Sequence, residues 1–382
     1  MENTGALTGL TVLDLSRLLP GPYASMILAD HGARVICIED RRFSAEFLKN
    51  NTVYRNKEHM TLNLKSDQGR AIFFKLARSA DVVLEGFRPG VTSRLGVDYK
   101  SVSELNPKIV YCSITGYGQT GPYRDVAGHD VNYLSRAGVL DLIGEAGRPP
   151  SIPGVQIADM ASGGMNAVAG ILMALLNREK TGRGQYIDIS MTDGSMSLLS
   201  MAFNFFQLTG SPVQRADSFL SHRYACYNTY ETADGRYLSI GAVESRFWKI
   251  LCAHLGVPEY TDLQYDDMRR EEIKGFLKKV FLQKSLAQWE EELGNMDICW
   301  APVRNLSEII KDPLFKDRDM ICEFTDDSGS KFFVPGVPVN LSDTPGSVRK
   351  PPPGFGENTR SILAELEYND TQIEQLGKDG II

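Results

Sequence analysis

Residues 10–40 read LTVLDLSRLLPGPYASMILADHGARVICIED, and this stretch decides the fold. Leu10–Leu15 is an apolar run with β-branched members, the pattern of a strand buried on both faces. A turn holding Pro20, Gly21 and Pro22 leads to a helix predicted from about Tyr23 to Asp30. A second buried strand is predicted over Ala33–Ile38, closed by Glu39 and Asp40. Strand, helix and strand in this order form a βαβ unit, which points to a parallel sheet. An acid closing the second strand about 20 residues after the first turn invites a dinucleotide reading. The turn itself, RLLPGPYAS, has one glycine where G-x-G-x-x-G needs three, so NAD binding is rejected. G-x-x-x-x-G-K-[ST] is absent from the sequence, which excludes a Walker-type NTPase.

The same grammar continues downstream. A strand TLNL is predicted after Met60, then a helix capped at Ser66, a strand DVVLE and the loop GFRPG at residues 86–90. A helix from Thr92 and a strand Lys108–Ser113 follow. In such a layered α/β structure, ligand loops lie at the carboxyl ends of the strands. Arg88 beside a flexible glycine suits an anion, although spacing alone favours a plain turn with a solvated Arg. Residues 127–164 then bring AGHDVNYLSRAGVL and IADMASGGM. They carry the pair His129–Asp130 and a lone acid, Asp159, at a helix start. An imidazole and a carboxyl across one small pocket can move a proton on and off carbon. Taken alone, Asp159 reads as a cap and His129 as a satisfied polar residue. The small run Ala161–Gly164 raises both, because it admits close approach of a backbone or ligand. The helix from Asp159 to about Arg178 is apolar all round and is therefore predicted to be buried. YIDIS is a strand, and Asp193 is assigned as the structural cap of the next helix.

Beyond a polar connector the pattern changes. Tyr224–Glu231 and Arg236–Ala242 flank Asp234 and Gly235, a hairpin signal. Helices near 245–255, 269–281 and 285–293 and a strand ICWAPV complete an α+β region. Glu244, in GAVESRFW, reads locally as another helix-start acid. The expected division is a large α/β domain over 1–206, a linker over 207–222 and a small α+β domain over 223–320. A proline-rich return and C-terminal helices over 321–382 are expected to pack on the large domain.

Composition bounds the partners. At 382 residues, with 42% hydrophobic and 23% charged residues, the chain can fill two real cores. The net charge of −7 argues against nucleic acid and against an anionic membrane surface. No apolar run is read as membrane-spanning, no basic-then-apolar leader opens the sequence, and KDGII is no peroxisomal signal. The six cysteines form no CxxC and no ligand cluster. They read as reduced thiols of a cytoplasmic protein, with no metal site.

The motifs LPGPYASMILADHGARV, LNLKSDQG, EGFRPGV, TGYGQTGP, AGHDVNYL, ADMASGG, KTGRGQ, TYETADGRY and GAVESRFW, in this order over almost the whole chain, resemble the family III (CaiB/BaiF) CoA-transferases. Within that family the resemblance is to the α-methylacyl-CoA racemase branch. It implies a Rossmann-like large domain with an inserted smaller α+β domain, in an intertwined homodimer. The acyl-CoA substrate would lie between the large domain of one subunit and the small domain of the other, with no cofactor beyond the CoA it carries. By the same resemblance His129 and Asp159 are the acid/base pair, Glu244 pairs with the histidine, and Asp130 assists at the thioester. CoA would be held by Arg41 (Arg42 the alternative), Leu62, Asn63, Leu64, Lys65, Gly86, Phe87, Arg88, Arg94, Gly128 and Tyr133.

In the ordinary transferases the aspartate matching Asp159 is instead a nucleophile that forms an acyl–aspartyl anhydride. Those enzymes tend to lack the histidine and to carry a glycine-rich loop near Glu244, so His129 and IGAVESR favour the racemase branch. Two segments depart from it: SHRYACY stands where racemases carry Gly-Gly-Ala-Pro, and GAVESRFW differs from their Glu-Pro-Gln-Phe form. The expected reaction is inversion at the α-carbon of a 2-methyl-branched acyl-CoA through an enolate. CoA transfer between carboxylic acids is the alternative, and a non-enzymatic acyl-CoA-binding subunit the third reading. Inversion requires Asp159 to hold a proton, hence a pKa raised by burial.

Overall fold

The computed structural model describes residues 5–326 and 328–382. They divide into two compact units, one of residues 5–139, 153–199 and 313–382 and the other of residues 140–152 and 200–312. The boundaries fall after Leu199 and Asp312, against the expected 206 and 320.

Unit 1 is built on β1 (Thr11–Asp14), α1 (Pro20–Asp30), β2 (Arg34–Glu39), β3 (Glu58–Thr61), α2 (Asp67–Ala77) and β4 (Val82–Glu85). It continues through α3 (Val91–Leu95), α4 (Tyr99–Leu105), β5 (Val110–Thr115), α5 (Asp130–Ala137), a π-helical segment Ala158–Met165, α6 (Asn166–Thr181), β6 (Tyr186–Ser190) and α7 (Met191–Ser197). The six strands form one sheet in the order β3-β2-β1-β4-β5-β6. Every neighbouring pair is parallel. That is the doubly wound order, whose reversal between β1 and β4 opens a crevice at the carboxyl ends. Leu13, Ile36, Met60, Phe73 and Val83 centre the core, and both faces of β1, β4 and β5 are covered.

Several expectations shift. Helix α1 begins at Pro20, because proline at the first position gives up an N–H that has no partner there anyway. TLNL is not a strand: pairing stops at Thr61, and Leu62 and Leu64 are both buried while Asn63 donates its N–H to Ile381 O at 2.7 Å. Asp193 does not cap α7; Ser190 Oγ accepts its N–H at 3.1 Å. The 158–181 helix is long and apolar enough by length and composition to cross a membrane, contrary to the sequence reading. It also is not buried all round. One face packs on α1, β5 and β6, while Met165, Met173 and Leu176 are 50%, 65% and 64% exposed.

Unit 2 holds α8 (Ser200–Thr209), β7 (Tyr227–Glu231), β8 (Tyr237–Gly241), α9 (Ser245–His254), α10 (Arg270–Phe281), α11 (Leu286–Leu293), β9 (Trp300–Pro302) and α12 (Leu306–Ile309). The predicted hairpin is β7–β8, and β9 adds antiparallel to β8. Trp248, Leu251, Leu277, Phe281 and Trp289 form its core. The chain re-joins unit 1 with α13 (Pro313–Asp317), the hairpin β10 (Ile321–Thr325)–β11 (Lys331–Pro335), α14 (Thr359–Glu365) and α15 (Asp370–Lys378). The return ties onto the first strands. His59 N–H donates to Asn358 Oδ1 at 2.9 Å, and Thr61 N–H to Thr359 Oγ1 at 3.0 Å.

Candidate active site

The first part of the site is a cleft at the carboxyl ends of β1 to β4. Its lining includes Arg17, Arg42, Phe43, Leu62, Leu64, Lys65 and Phe87. Of the two candidate arginines, Arg42 faces the cleft; Arg41 is exposed outside it. Phe43 is flanked by two guanidiniums, with Arg17 Cζ 3.4 Å and Arg42 Cζ 4.5 Å from its ring centroid. Arg17 is held by Glu39 and by Glu46, the latter at 2.6 Å. Glu39 also meets His59 Nε2 at 3.2 Å. The acid that invited a dinucleotide reading is thus engaged by protein partners. Arg17 and Phe43 carry no motif of their own and were missed from sequence. Asn63 is structural in part: its Oδ1 accepts from Lys65 N–H at 3.0 Å, shaping the turn that presents the lysine.

The second part gathers the proton-transfer candidates. His129 precedes α5, and its N–H donates to Asn132 Oδ1 at 3.0 Å. Asp130 opens α5, is buried, and accepts the Asp159 N–H on Oδ1 at 3.0 Å. This bond meets one of the donors that a helix start leaves without an intrahelical partner. Asp159 therefore sits in the first turn of the π segment, and its carboxyl makes no hydrogen bond among the described residues. Burial pushes its pKa up to about 6, the Asp130 charge adds to the rise, and His129 opposes it.

Tyr133 completes this neighbourhood. Its hydroxyl donates to Gly128 O, and its ring meets Tyr117 edge-on at 5.4 Å. Burial raises its pKa to about 12, with Asp159 adding to the rise and Arg88 lowering it, so both groups lie within its field. A Cβ on Gly128 would stand 2.7 Å from the Tyr133 ring, which is why that position is glycine. Gly86, Arg88 and Arg94 lie on or just after the exposed loop that follows β4, with Phe87 half-buried among them and its N–H donating to Glu85 Oε2 at 2.7 Å.

π-helical turns are rare and concentrate at functional sites. This one was invisible in the sequence, and its small residues explain its packing. A Cβ on Gly163 would meet Met191 Cγ at 3.0 Å and Pro20 Cβ at 3.1 Å. One on Gly164 would meet Tyr23 Cδ1 at 2.7 Å. The small run thus lets α1 and α7 close on the segment, so the close approach is by the protein itself. Glu244 lies in unit 2 at the N-cap position of α9, exposed and without a capping hydrogen bond from its side chain.

Comparison with known proteins places this architecture. The model of "CoA-transferase family III" matches residues 7–359. The chain belongs to CoA-transferase family III. Among family members, the human alpha-methylacyl-CoA racemase is 34% identical, over 99% of this chain and 97% of its own. The mouse succinyl-CoA:glutarate CoA-transferase is 32% identical, over 98% of this chain and 90% of its own. A crystal structure of a CAIB/BAIF family protein from Brucella suis superposes with a TM-score of 0.83 at 29% identity. It covers 95% of this chain and 100% of its own. The family thus holds both racemases and transferases at nearly equal similarity to this chain.

Proposed function

We propose that this family III enzyme inverts the α-carbon of 2-methyl-branched acyl-CoA thioesters. The observation that carries the reading is Asp159: half-buried, with a pKa near 6, in the field of His129. The α-hydrogen of a thioester is weakly acidic, so its removal needs a placed base and a stabilised enolate oxygen. In this scheme neutral His129, paired with Glu244, takes the proton from one face and the C–H electrons pass into the enolate. Protonated Asp159 returns a proton to the other face, and Asp130 assists at the thioester. Arg42, Lys65, Arg88 and Arg94 supply positive charge for the phosphates of CoA, which Arg can hold by bidentate bonds. The chemistry uses no cofactor besides that CoA. The enzyme works as a homodimer, a state supported by the exposed apolar side chains of α6 and α8, among them Met173, Leu176, Phe203 and Phe206.

The competing reading makes Asp159 a nucleophile in CoA transfer, and the similarity to succinyl-CoA:glutarate CoA-transferase supports it. Incubating the enzyme with a 2-methylacyl-CoA in deuterated water separates the two. Solvent deuterium at C2 without any acceptor acid is the expected result. Turnover that strictly requires an acceptor acid, with hydroxylamine trapping of an Asp159 adduct and no label at C2, overturns it in favour of transfer.

A further inference from the structure

The backbone at Glu244 is held from two sides: its carbonyl accepts the α9 N–H groups of Phe247 and Trp248 at 3.0 and 3.2 Å, and the turn before it has ties of its own. The chain leaves β8 at Gly241, whose N–H donates to Cys299 O at 2.7 Å, and Val243 N–H turns back to Gly241 O at 2.8 Å. The carbonyls of Ala242 and Val243 then face Gln264. This side chain is 6% exposed, and its Nε2 stands 2.9 Å from Ala242 O and 2.8 Å from Val243 O. The neighbouring Tyr265 hydroxyl also donates to Val243 O and lies 3.1 Å from Gln264 Nε2. A buried amide aimed at two successive carbonyls fixes the backbone there, because a swing of the turn would strand buried polar groups.

The clamp continues into the segment whose sequence departs from the racemase pattern. Tyr265 packs on Phe219 at 4.9 Å and on Tyr224 at 5.2 Å between ring centroids. The Cys226 side chain is buried within the field of Gln264 and Tyr265, which oppose the rise that burial gives its thiol pKa. Residues 219–226, Gln264–Tyr265 and the turn before Glu244 therefore form one connected support within unit 2.

We propose that Gln264 and Tyr265 are positioning residues for Glu244, clamping the Ala242–Val243 turn so that the carboxylate is presented in one place. This rests on the reading above, in which Glu244 pairs with His129. The test uses the full-length enzyme and reads both C2 exchange and backbone protection. Gln264→Met keeps the volume and removes the donors. It should lower kcat for C2 deuterium exchange by about tenfold while KM stays within about twofold. In a Glu244→Gln background the same substitution should cost nothing further. Amide exchange over residues 242–246 should quicken by about tenfold or more. Tyr265→Phe, which preserves the ring packing, should show the same pattern at smaller size and guards against misfolding of the first variant. Unchanged exchange over 242–246, or an equal loss in both backgrounds, overturns the clamp and leaves the two-base reading standing. A Glu244→Gln enzyme with full activity overturns the clamp and the pairing of Glu244 with His129 together.

Discussion

Asp159 and Glu244 look alike in sequence: each is an acid at the start of a helix. The structure separates them by their surroundings. Asp159 is half-buried in a π turn, its N–H met by Asp130 and its pKa raised by burial. Glu244 is exposed, and the turn before it is tied down through carbonyls. Yet they share one property that counts against a purely structural role, since neither carboxyl caps its helix. A helix-start acid released from capping is available for chemistry. One is tuned where it stands, and the other is held by its scaffold.

Substitutions can break this contrast. Asp159→Asn removes the titrating group and should cost about 10²–10⁴-fold in C2 exchange with the fold intact. It should also abolish a pH dependence. With a pKa near 6, Asp159 holds its proton below that value and loses it above. The rate in the direction where it donates should fall as pH rises through about 6, and the opposite direction should rise. Measuring both directions from pH 5 to 8 checks the sign. Glu244→Gln should cost less, about 10–10²-fold, because in the proposed scheme it acts only through the imidazole. Its stability should stay within about 0.5 kcal/mol of the parent, where a lost cap would cost about 1 kcal/mol; denaturant titration reads this.

Gly164→Ala sharpens the contrast from the packing side. Its new Cβ would press on Tyr23 and Pro20, for an expected loss of about 1–3 kcal/mol in thermal or chemical unfolding. Glu85 is the control: a buried acid at a strand end rather than a helix start. Burial raises its pKa to about 7, with Asp188 adding to the rise while Ser113 and the Phe87 N–H oppose it. A carboxyl whose folded pKa is raised favours the fold below its unfolded pKa near 4.5 and loses that contribution as pH rises through about 7. Glu85→Gln cannot ionise, so its melting temperature should exceed the parent's by a few degrees at pH 8 and show no such gain at pH 4.

Much of the scaffold was legible because it depends on local pattern. The buried runs of β1 and β2, the Ser66 cap and the Asp234–Gly235 hairpin each carry their instruction within a few residues. Two of the misses are set from far away, and the rest by short-range geometry such as the Ser190 cap. TLNL has the composition of a strand, but Asn63 answers to Ile381 at the other end of the chain. The π turn exists because α1 and α7 close on Gly163 and Gly164, contacts that no helical period announces. Arg41 and Arg42 are adjacent, and only the short 3₁₀ turn Arg41–Glu46 decides that the second lines the cleft. Taken singly, His129 and Asp159 read as a satisfied polar residue and a cap; the small run behind Asp159 and the ordered family motifs raised them to a candidate acid/base pair.

The edge position of β3 has a consequence for how the protein is made. Its outward donors at His59 and Thr61 are met by Asn358 and Thr359, and Asn63 just beyond it by Ile381. During synthesis this strand margin emerges roughly 300 residues before its partners, which at about 5–20 residues per second is about 15–60 seconds on the ribosome. A bare strand margin is adhesive. The margin stays open until Asn358 and Thr359 arrive, and removal of the chain from Asn358 onward, rather than of the last helix alone, would reopen it in the finished protein.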